Sequence, residues 1–168
     1  NLETFVKACH RTKESNDMDG DVVEAIGRGK TLWQAMEVIQ FSCRFFVSRQ
    51  LSHQLVRQRV GVTFSQQCTG DMDCRHLDLI APTSVPFYET FVENLLRSKQ
   101  FYANLVDSRW CSLQEARYTL PHALSTIVYA EMSLGTLAAL QNKRACVQTQ
   151  TWEFVCVANQ MRMEIEKK

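Results

Sequence analysis

Residues 38–47 carry the pattern that most restricts how this chain can fold. Apolar side chains occupy every second position there: Ile39, Phe41, Cys43, Phe45 and Val47. A period of two predicts a β-strand with one face against a core. From residue 48 to 59 the period becomes helical, with Leu51, Leu55 and Val56 on one stripe. The chain therefore needs a fold that joins a strand directly to a helix.

The second half of the chain is predicted to be helical. Four segments have helical spacing or caps: residues 88–106, 112–118, 133–139 and 149–166. Ser112 and Glu115 have the spacing of a capping box, which marks a helix start. Only six glycines and three prolines occur in 168 residues, which favours helices over a turn-rich all-β fold. No repeat, linker or low-complexity tract interrupts the chain, so we expect one α+β domain over residues 1–168.

Shorter elements are predicted between these segments. Residues 21–26 and 32–36 are expected to form short helices, the first with Asp21 as its N-cap. Residues 61–70 are polar and contain glycine, so a loop is predicted. Residues 77–81 are apolar and end at a proline, which favours a short strand.

Charge and cysteine content limit the class of protein. The formal net charge is +1, so no overall positive field attracts nucleic acid or acidic lipid. No apolar stretch approaches the roughly 18 residues of a membrane span. Seven cysteines, an odd number, are expected to be reduced thiols in the cytoplasm. Cys68, Cys74 and His76 lie close enough to raise zinc as an alternative, but their spacing matches no common zinc pattern.

Residues 48–59 also concentrate basic side chains. Arg49, His53, Arg57 and Arg59 occur there without an acidic residue among them. Arginine offers planar, paired donors that match phosphate geometry, and the polar segment that follows adds hydroxyls, amides and backbone N–H groups. The cluster therefore favours an anionic ligand. A solvated helix face whose arginines pair with glutamates elsewhere is the alternative.

The same residues resemble a signature of flavin-dependent thymidylate synthases, which in many members runs SRxxSHQLVRHRxxSxSQxSxRY. Ser48-Arg49 and residues 52–59 match it almost continuously. After one inserted residue, residues 63–68 match its SxSQxS part. Further along, Ala116-Arg117 with Leu120-Pro121 resembles the family's AR…LP segment. Residues 144–153 resemble its RxCxxAQ segment and the WE that follows. The blocks occur in family order, which strengthens the resemblance.

The resemblance implies a fold and a reaction. The fold would be α+β, with an antiparallel sheet flanked by helices, assembled as a homotetramer whose sites lie between subunits. The reaction would transfer a one-carbon unit from methylene-tetrahydrofolate to C5 of a uracil nucleotide. FAD would carry the redox chemistry, and NADPH would reduce the flavin. Neither nucleic acid nor membrane would be a partner.

Site roles follow position by position from the matched blocks. Arg144 resembles the arginine that stabilises negative charge on the pyrimidine ring and is the catalytic candidate. FAD binding is implied for four residues: Arg57, Gln58, Arg59 and Gln66. Substrate binding is implied for six residues: Gln54, Arg57, Ser65, Gln67, Cys68 and Arg144. Residues 65–68 would form a loop over the nucleotide phosphate. No metal site is implied.

Several positions depart from the family pattern. Gln58 replaces the middle histidine of the RHR motif and cannot carry its charge. Gly70 and Ile127 stand where the family has arginines that hold substrate phosphate. Ser133 and Gly135 stand roughly where some members use Asn and Arg on the flavin. The loss of two phosphate contacts predicts weak binding of deoxyuridine monophosphate, unless other groups replace them.

These departures leave three interpretations. The chain is an active enzyme on a uracil nucleotide, a relative with another pyrimidine nucleotide as substrate, or a non-catalytic family member. Replacement phosphate contacts would come from Lys143, Arg75 or the backbone of residues 66–69. Cys68, which stands in place of a serine, is a weaker donor, and an activated nucleophile is the less favoured reading of it.

Overall fold

A three-stranded antiparallel sheet organises the protein. The computed structural model describes residues 36–37, 39–145 and 151–166. The strands are β1 (Gln40–Ser48), β2 (Val62–Gln66) and β3 (Ser125–Ser133), in the order β1-β3-β2. β3 is therefore central, and all nine of its residues pair with β1, from Gln40 opposite Ser133 to Ser48 opposite Ser125.

Five helices lie in the described part of the chain. They are α1 (Arg49–Leu55), α2 (Tyr88–Ser108), α3 (Leu113–Ala116), α4 (Leu134–Arg144) and α5 (Trp152–Glu166), and a 3-10 turn, Arg117–Thr119, follows α3. Ser48, Ser112 and Ser133 cap α1, α3 and α4 with side chains that accept backbone N–H groups. The expected α+β class, with an antiparallel sheet and helices, is confirmed.

The main core lies on one face of the sheet. Phe45 and Val47 of β1 are buried there, as the period of two predicts. Leu55 of α1 and Phe154 of α5 pack into the same cluster. The opposite face of the sheet carries the alternate residues, and it stays open along β1 and β3 among the described residues.

A smaller core holds the chain between β2 and α2. It contains four buried residues, Cys74, Tyr102, Ala116 and Leu124. The Cys74 N–H donates to the Tyr102 hydroxyl at 3.1 Å, which ties this connection to α2. Burial raises the pKa of the Cys74 thiol, so the thiol stays protonated and donates to the Thr69 carbonyl.

Three predictions about elements need correction. Residues 61–70 are not all loop, because residues 62–66 form β2. The strand predicted at residues 77–81 is reduced to one bridge between Leu79 and Leu124. β3 was not recognised, because a central strand buries small and polar residues such as Ser125 and Thr126 and shows no clean alternation. The helices predicted at 21–26 and 32–36 lie, except for Met36, outside the described residues.

Among the residues that the structure describes, no helix has both the length and the apolar character needed to cross a bilayer.

Candidate functional site

The arginine segment leaves the end of α1 and runs to β2. α1 ends at Leu55, and Arg57, Gln58 and Arg59 follow in irregular backbone. The side chains of Arg57 and Arg59 are exposed, and neither forms an ion pair with any residue that the structure describes. Both guanidinium groups are therefore available to an anion.

A tight turn places this segment against the start of α4. Gly61 has a φ of 66°, in the left-handed region that favours glycine. A Cβ at Gly61 would overlap the hydroxyl of Thr136, so the position also lacks room for a side chain. The Thr136 hydroxyl donates to the Val60 carbonyl at 2.8 Å. Arg59 is thus held close to the N-terminus of α4.

β2 sends its candidate residues to opposite faces of the sheet. Gln66 lies on the core side, where its Nε2 donates to the Ser52 hydroxyl at 2.9 Å. The Ser52 hydroxyl in turn donates to the Arg49 carbonyl at 2.9 Å. Ser65 is exposed on the open face, opposite Tyr129. Because residues 65 and 66 belong to a strand, they cannot both face one phosphate, as a loop would have allowed.

Gln67 has a buried acceptor without a donor. Its backbone N–H donates to the Ile127 carbonyl at 3.1 Å, which continues the pairing of β2 with β3. Its side-chain Oε1 is buried and accepts no hydrogen bond from the described part of the protein. A buried unpaired acceptor is costly, so a ligand or water that donates here would be stabilising.

The departure at Gly70 changes its surroundings. Gly70 is buried, and a Cβ there would lie 2.5 Å from Oε1 of Gln114 and 2.7 Å from Nη1 of Arg117. The Gly70 N–H donates to Sγ of Cys68 at 3.4 Å, although Cys68 itself is exposed. The glycine therefore leaves space that the Arg117 guanidinium occupies.

Arg144 ends α4 and is held by an aromatic ring. Its guanidinium carbon lies 4.9 Å from the ring centroid of Phe154, which is 1% exposed. Glu153 fixes the start of α5 in turn. Its two carboxylate oxygens accept the Ser48 N–H at 2.7 Å and the Ser48 hydroxyl at 2.5 Å. The sequence did not reveal these positioning roles of Glu153 and Phe154, although the WE match pointed to this helix.

Ser133 and Gly135, the departures nearest the implied flavin positions, belong to the buried start of α4. Ser133 caps the helix, and its hydroxyl accepts the Thr136 N–H at 3.2 Å. Gly135 is buried, and a Cβ there would make only ordinary contact with Glu37, at 3.5 Å. Ser133 therefore has a structural function. A Cβ would fit at position 135, so lack of space does not explain why the residue there is glycine.

Arg75, which the sequence offered as a replacement phosphate contact, is engaged by two aspartates. Its Nε donates to Asp73 and its Nη1 to Asp107, each at 2.7 Å. The hydrogen bond from Arg75 lowers the pKa of the Asp73 carboxyl, so both partners stay charged and neutralise each other. For zinc, no group of three His, Cys, Asp or Glu side chains comes together within the described ranges. The five cysteines described there form no disulfide.

The comparisons with known proteins agree on one family. A family model described as thymidylate synthase complementing protein, Thy1, matches residues 2–168. A flavin-dependent thymidylate synthase of Nitratidesulfovibrio vulgaris is 32% identical over 126 residues, 68% of this chain and 51% of the relative. That of Clostridium tetani is 29% identical over 140 residues, 72% of this chain and 55% of the relative.

An archaeal relative covers more of the chain. The flavin-dependent thymidylate synthase of Saccharolobus solfataricus is 28% identical over 158 residues, 90% of this chain and 60% of the relative. The chain thus spans little more than half the length of the curated relatives that it matches.

Proposed function

The chain belongs to the Thy1 family of thymidylate synthase complementing proteins, and from this membership we propose that it is a subunit of a flavin-dependent enzyme that transfers one carbon unit to C5 of a uracil nucleotide. The observation that carries the proposal is the family match over nearly the whole chain. Methylene-tetrahydrofolate would donate the carbon, and NADPH would be the reductant. The protein would act in the cytoplasm, as one domain spanning residues 1–168.

FAD fits the residues around the end of α1. Bound FAD would supply the redox chemistry of the reaction. Arg57 and Arg59 present exposed guanidinium groups without acidic partners among the described residues, which suits the phosphates of a dinucleotide. Gln58 would donate a hydrogen bond there from its side-chain amide, which carries no charge. Gln66 has its Nε2 engaged by Ser52, so its Oε1 remains to accept from the cofactor.

The pyrimidine nucleotide would bind beside these residues. Gln67 supports this placement, because its buried Oε1 accepts no hydrogen bond from the described residues, and a pyrimidine imide N–H or a sugar hydroxyl would supply the donor. Gln54, Arg57, Ser65 and Cys68 complete the substrate contacts that we propose. Cys68 acts there as a polar contact rather than a nucleophile, since no basic side chain within the described ranges hydrogen-bonds to its thiol.

Arg144 is the catalytic residue in this proposal. C5 of the uracil ring attacks more readily when negative charge on the ring oxygens and N3 is stabilised. A guanidinium supplies that charge and stays protonated at any working pH. Phe154 and, behind it, the Glu153–Ser48 contact hold Arg144 in place, so the residue can be orientated before substrate arrives.

The purified protein should show the visible absorbance of a bound flavin. It should convert deoxyuridine monophosphate to thymidylate when supplied with methylene-tetrahydrofolate and NADPH. Chromatography of the product measures this conversion. The double variant Arg57→Ala/Arg59→Ala should lose the flavin absorbance, because the phosphates of FAD would no longer meet the two positive guanidinium groups. Arg97→Ala is the matched control, since Arg97 is exposed on α2 and pairs with Glu93.

A protein without flavin absorbance and without turnover would contradict this function and favour the non-catalytic alternative. A protein that binds flavin but converts uridine or cytidine monophosphate instead would establish the altered-substrate alternative. Gly70 and Ile127 support that second candidate, because both replace arginines of the family pattern.

A homotetramer with sites between subunits is also part of the proposal. The open face of the sheet supports it, because Phe46 and Tyr129 expose 58% and 53% of their surface there. Large exposed apolar side chains on one sheet face are typical of an interface. Light scattering should give four times the mass of one chain at micromolar concentration.

Phe46→Glu should reduce that mass, because a buried charge at the interface is unfavourable. Leu96→Glu on α2 introduces the same charge at a residue 52% exposed and should leave the mass unchanged. A monomeric wild-type protein would contradict the tetramer.

A further inference from the structure

A chain of two hydrogen bonds joins α1 to the end of β2. The Ser52 hydroxyl donates to the Arg49 carbonyl at 2.9 Å, and Nε2 of Gln66 donates to the Ser52 hydroxyl at 2.9 Å. Ser52 is 0% exposed, so water does not compete for its hydroxyl. The chain therefore links a backbone carbonyl of the helix to a side-chain amide of the strand.

The chemistry of these groups fixes the direction of the chain. A backbone carbonyl can only accept, so the single hydroxyl proton of Ser52 is committed to Arg49. The Ser52 oxygen can then only accept from Gln66, and of the two ends of the Gln66 amide only the NH₂ group donates. A rotated amide would set its oxygen against the Ser52 oxygen, so that two acceptors would face each other. The amide is therefore held with Nε2 inward.

The carbonyl oxygen of the Gln66 amide is the end that remains for a ligand. Gln66 is half-buried at the end of β2, opposite the buried Val128. Its Oε1 accepts no hydrogen bond from any residue that the structure describes. This oxygen is not one of the fully buried oxygens without a partner, whereas Oε1 of Gln67 is. The described part of the chain thus presents an acceptor whose polarity Ser52 keeps from reversing.

An acceptor with a fixed direction selects ligands that donate at that point. Both ring systems of the proposed reaction carry such a donor, because the uracil ring and the isoalloxazine ring each contain an imide N–H between two carbonyl groups. Cytosine has an acceptor nitrogen in the same ring position. It would leave the Gln66 oxygen unpaired, and an unpaired polar group in a closed site lowers affinity.

We propose that Ser52 is a positioning residue that fixes the Gln66 amide with its oxygen outward, so that the site accepts a hydrogen bond from an imide N–H. Ser52 is buried and acts through Gln66 rather than by touching a ligand. The imide as the ligand group rests on the proposed function, whereas the orientation of the amide does not.

Calorimetry with two pairs of probes tests this proposal and identifies the source of the imide. The pairs are deoxyuridine monophosphate with deoxycytidine monophosphate, and FAD with its N3-methyl derivative. The wild type should prefer the first member of at least one pair. Ser52→Ala frees the amide to rotate, so that preference should fall by about tenfold, the effect of one hydrogen bond. The pair that responds identifies the ring that Gln66 contacts.

Three further variants separate positioning from a general loss of structure. Ser52→Thr keeps the hydroxyl and should retain the preference. Gln66→Met removes the amide, and adding Ser52→Ala to it should change the preference no further. Ser108→Ala is the matched control, because the Ser108 hydroxyl also donates to the carbonyl three residues earlier, at 2.7 Å, but lies exposed at the end of α2. Thermal unfolding establishes that each variant is folded.

A second readout needs neither a substitution nor a ligand. NMR of protein isotopically labelled at its glutamine side chains measures how fast the Nε2 protons exchange with water. Those of Gln66 should exchange more slowly than those of Gln100, an exposed residue of α2, because the buried Ser52 hydroxyl holds them. Ser52→Ala should abolish the difference. Equal exchange at the two glutamines of the wild type would overturn the proposed orientation.

The possible failures are distinguishable. Equal wild-type affinities within both pairs, or an unchanged preference in folded Ser52→Ala, would overturn the proposal even if the protein makes thymidylate. Equal weakening of both members of each pair would make Ser52 a purely structural residue and overturn it as well. Slow exchange at Gln66 that depends on Ser52, in a protein that binds neither flavin nor nucleotide, would support the positioning by Ser52 and contradict the proposed function.

Discussion

Replacing Arg144 with alanine should lower turnover by about a hundredfold or more while nucleotide affinity changes little. In the role that we propose for Arg144, the negative charge that it opposes appears on the pyrimidine ring mainly in the transition state. An interaction that is stronger in the transition state than in the ground state affects the rate more than the binding. Its position at the end of α4, against the buried Phe154 ring, restricts where the guanidinium can lie.

Steady-state kinetics and calorimetry separate these effects. Arg144→Lys keeps the charge but loses the planar group, so it should recover part of the rate. Arg97→Ala is the control, because Arg97 is an exposed arginine on α2 that pairs with Glu93. Turnover of Arg144→Ala equal to that of the wild type would remove Arg144 from the catalytic role. A loss confined to affinity would make it a binding residue.

Replacing Leu55 with alanine should lower the free energy of unfolding by roughly 2–5 kcal/mol. Leu55 is fully buried in the main core, where it is the last residue of α1. The substitution removes apolar contacts and leaves a cavity that the neighbouring strands can fill only in part. α1 has seven residues, and so short a helix depends on tertiary packing for its stability. Loosening of α1 should therefore also weaken flavin binding through Arg57 and Arg59.

Chemical denaturation followed by circular dichroism measures the stability change. Leu96→Ala makes the same change at a residue 52% exposed on α2, and its effect should stay within about 0.5 kcal/mol. Similar losses at the two positions would show that Leu55 does not have the core role that we assign to it. Flavin absorbance of the folded Leu55→Ala protein then shows how far the site depends on α1.

Local sequence patterns predicted β1 and most helices correctly for a physical reason. β1 buries one face only, so its period of two is visible. The capping box at Ser112 and Glu115 likewise uses contacts between residues three apart, and the structure contains both of its hydrogen bonds. β2 and β3 were missed because their stability comes from pairing with each other, between residues about 65 positions apart along the chain.

The sequence likewise predicted one part of the candidate site and missed another. Residue types and order identified the segment around Arg57 and Arg59 and the family to which it belongs. They did not show that Ser65 and Gln66 face opposite sides of a strand, or that Arg75 is neutralised by two aspartates. These facts depend on which side chains meet across the fold, and spacing along the chain does not encode that.

By itself, the sequence determined the α+β class, the family and the positions of the basic groups, because these follow from local periodicity and from motif order. Only the tertiary structure decided what surrounds those groups. It placed Glu153 on Ser48 and Phe154 under Arg144, and it brought Arg117 to the space left by Gly70. Glu153 and Ser48 are 105 positions apart and Arg117 and Gly70 are 47 apart, whereas Phe154 and Arg144 are only ten apart but belong to two different helices. Their geometry therefore exists only once the sheet and helices have packed, and that packing decides which charges are paired and which remain for a ligand.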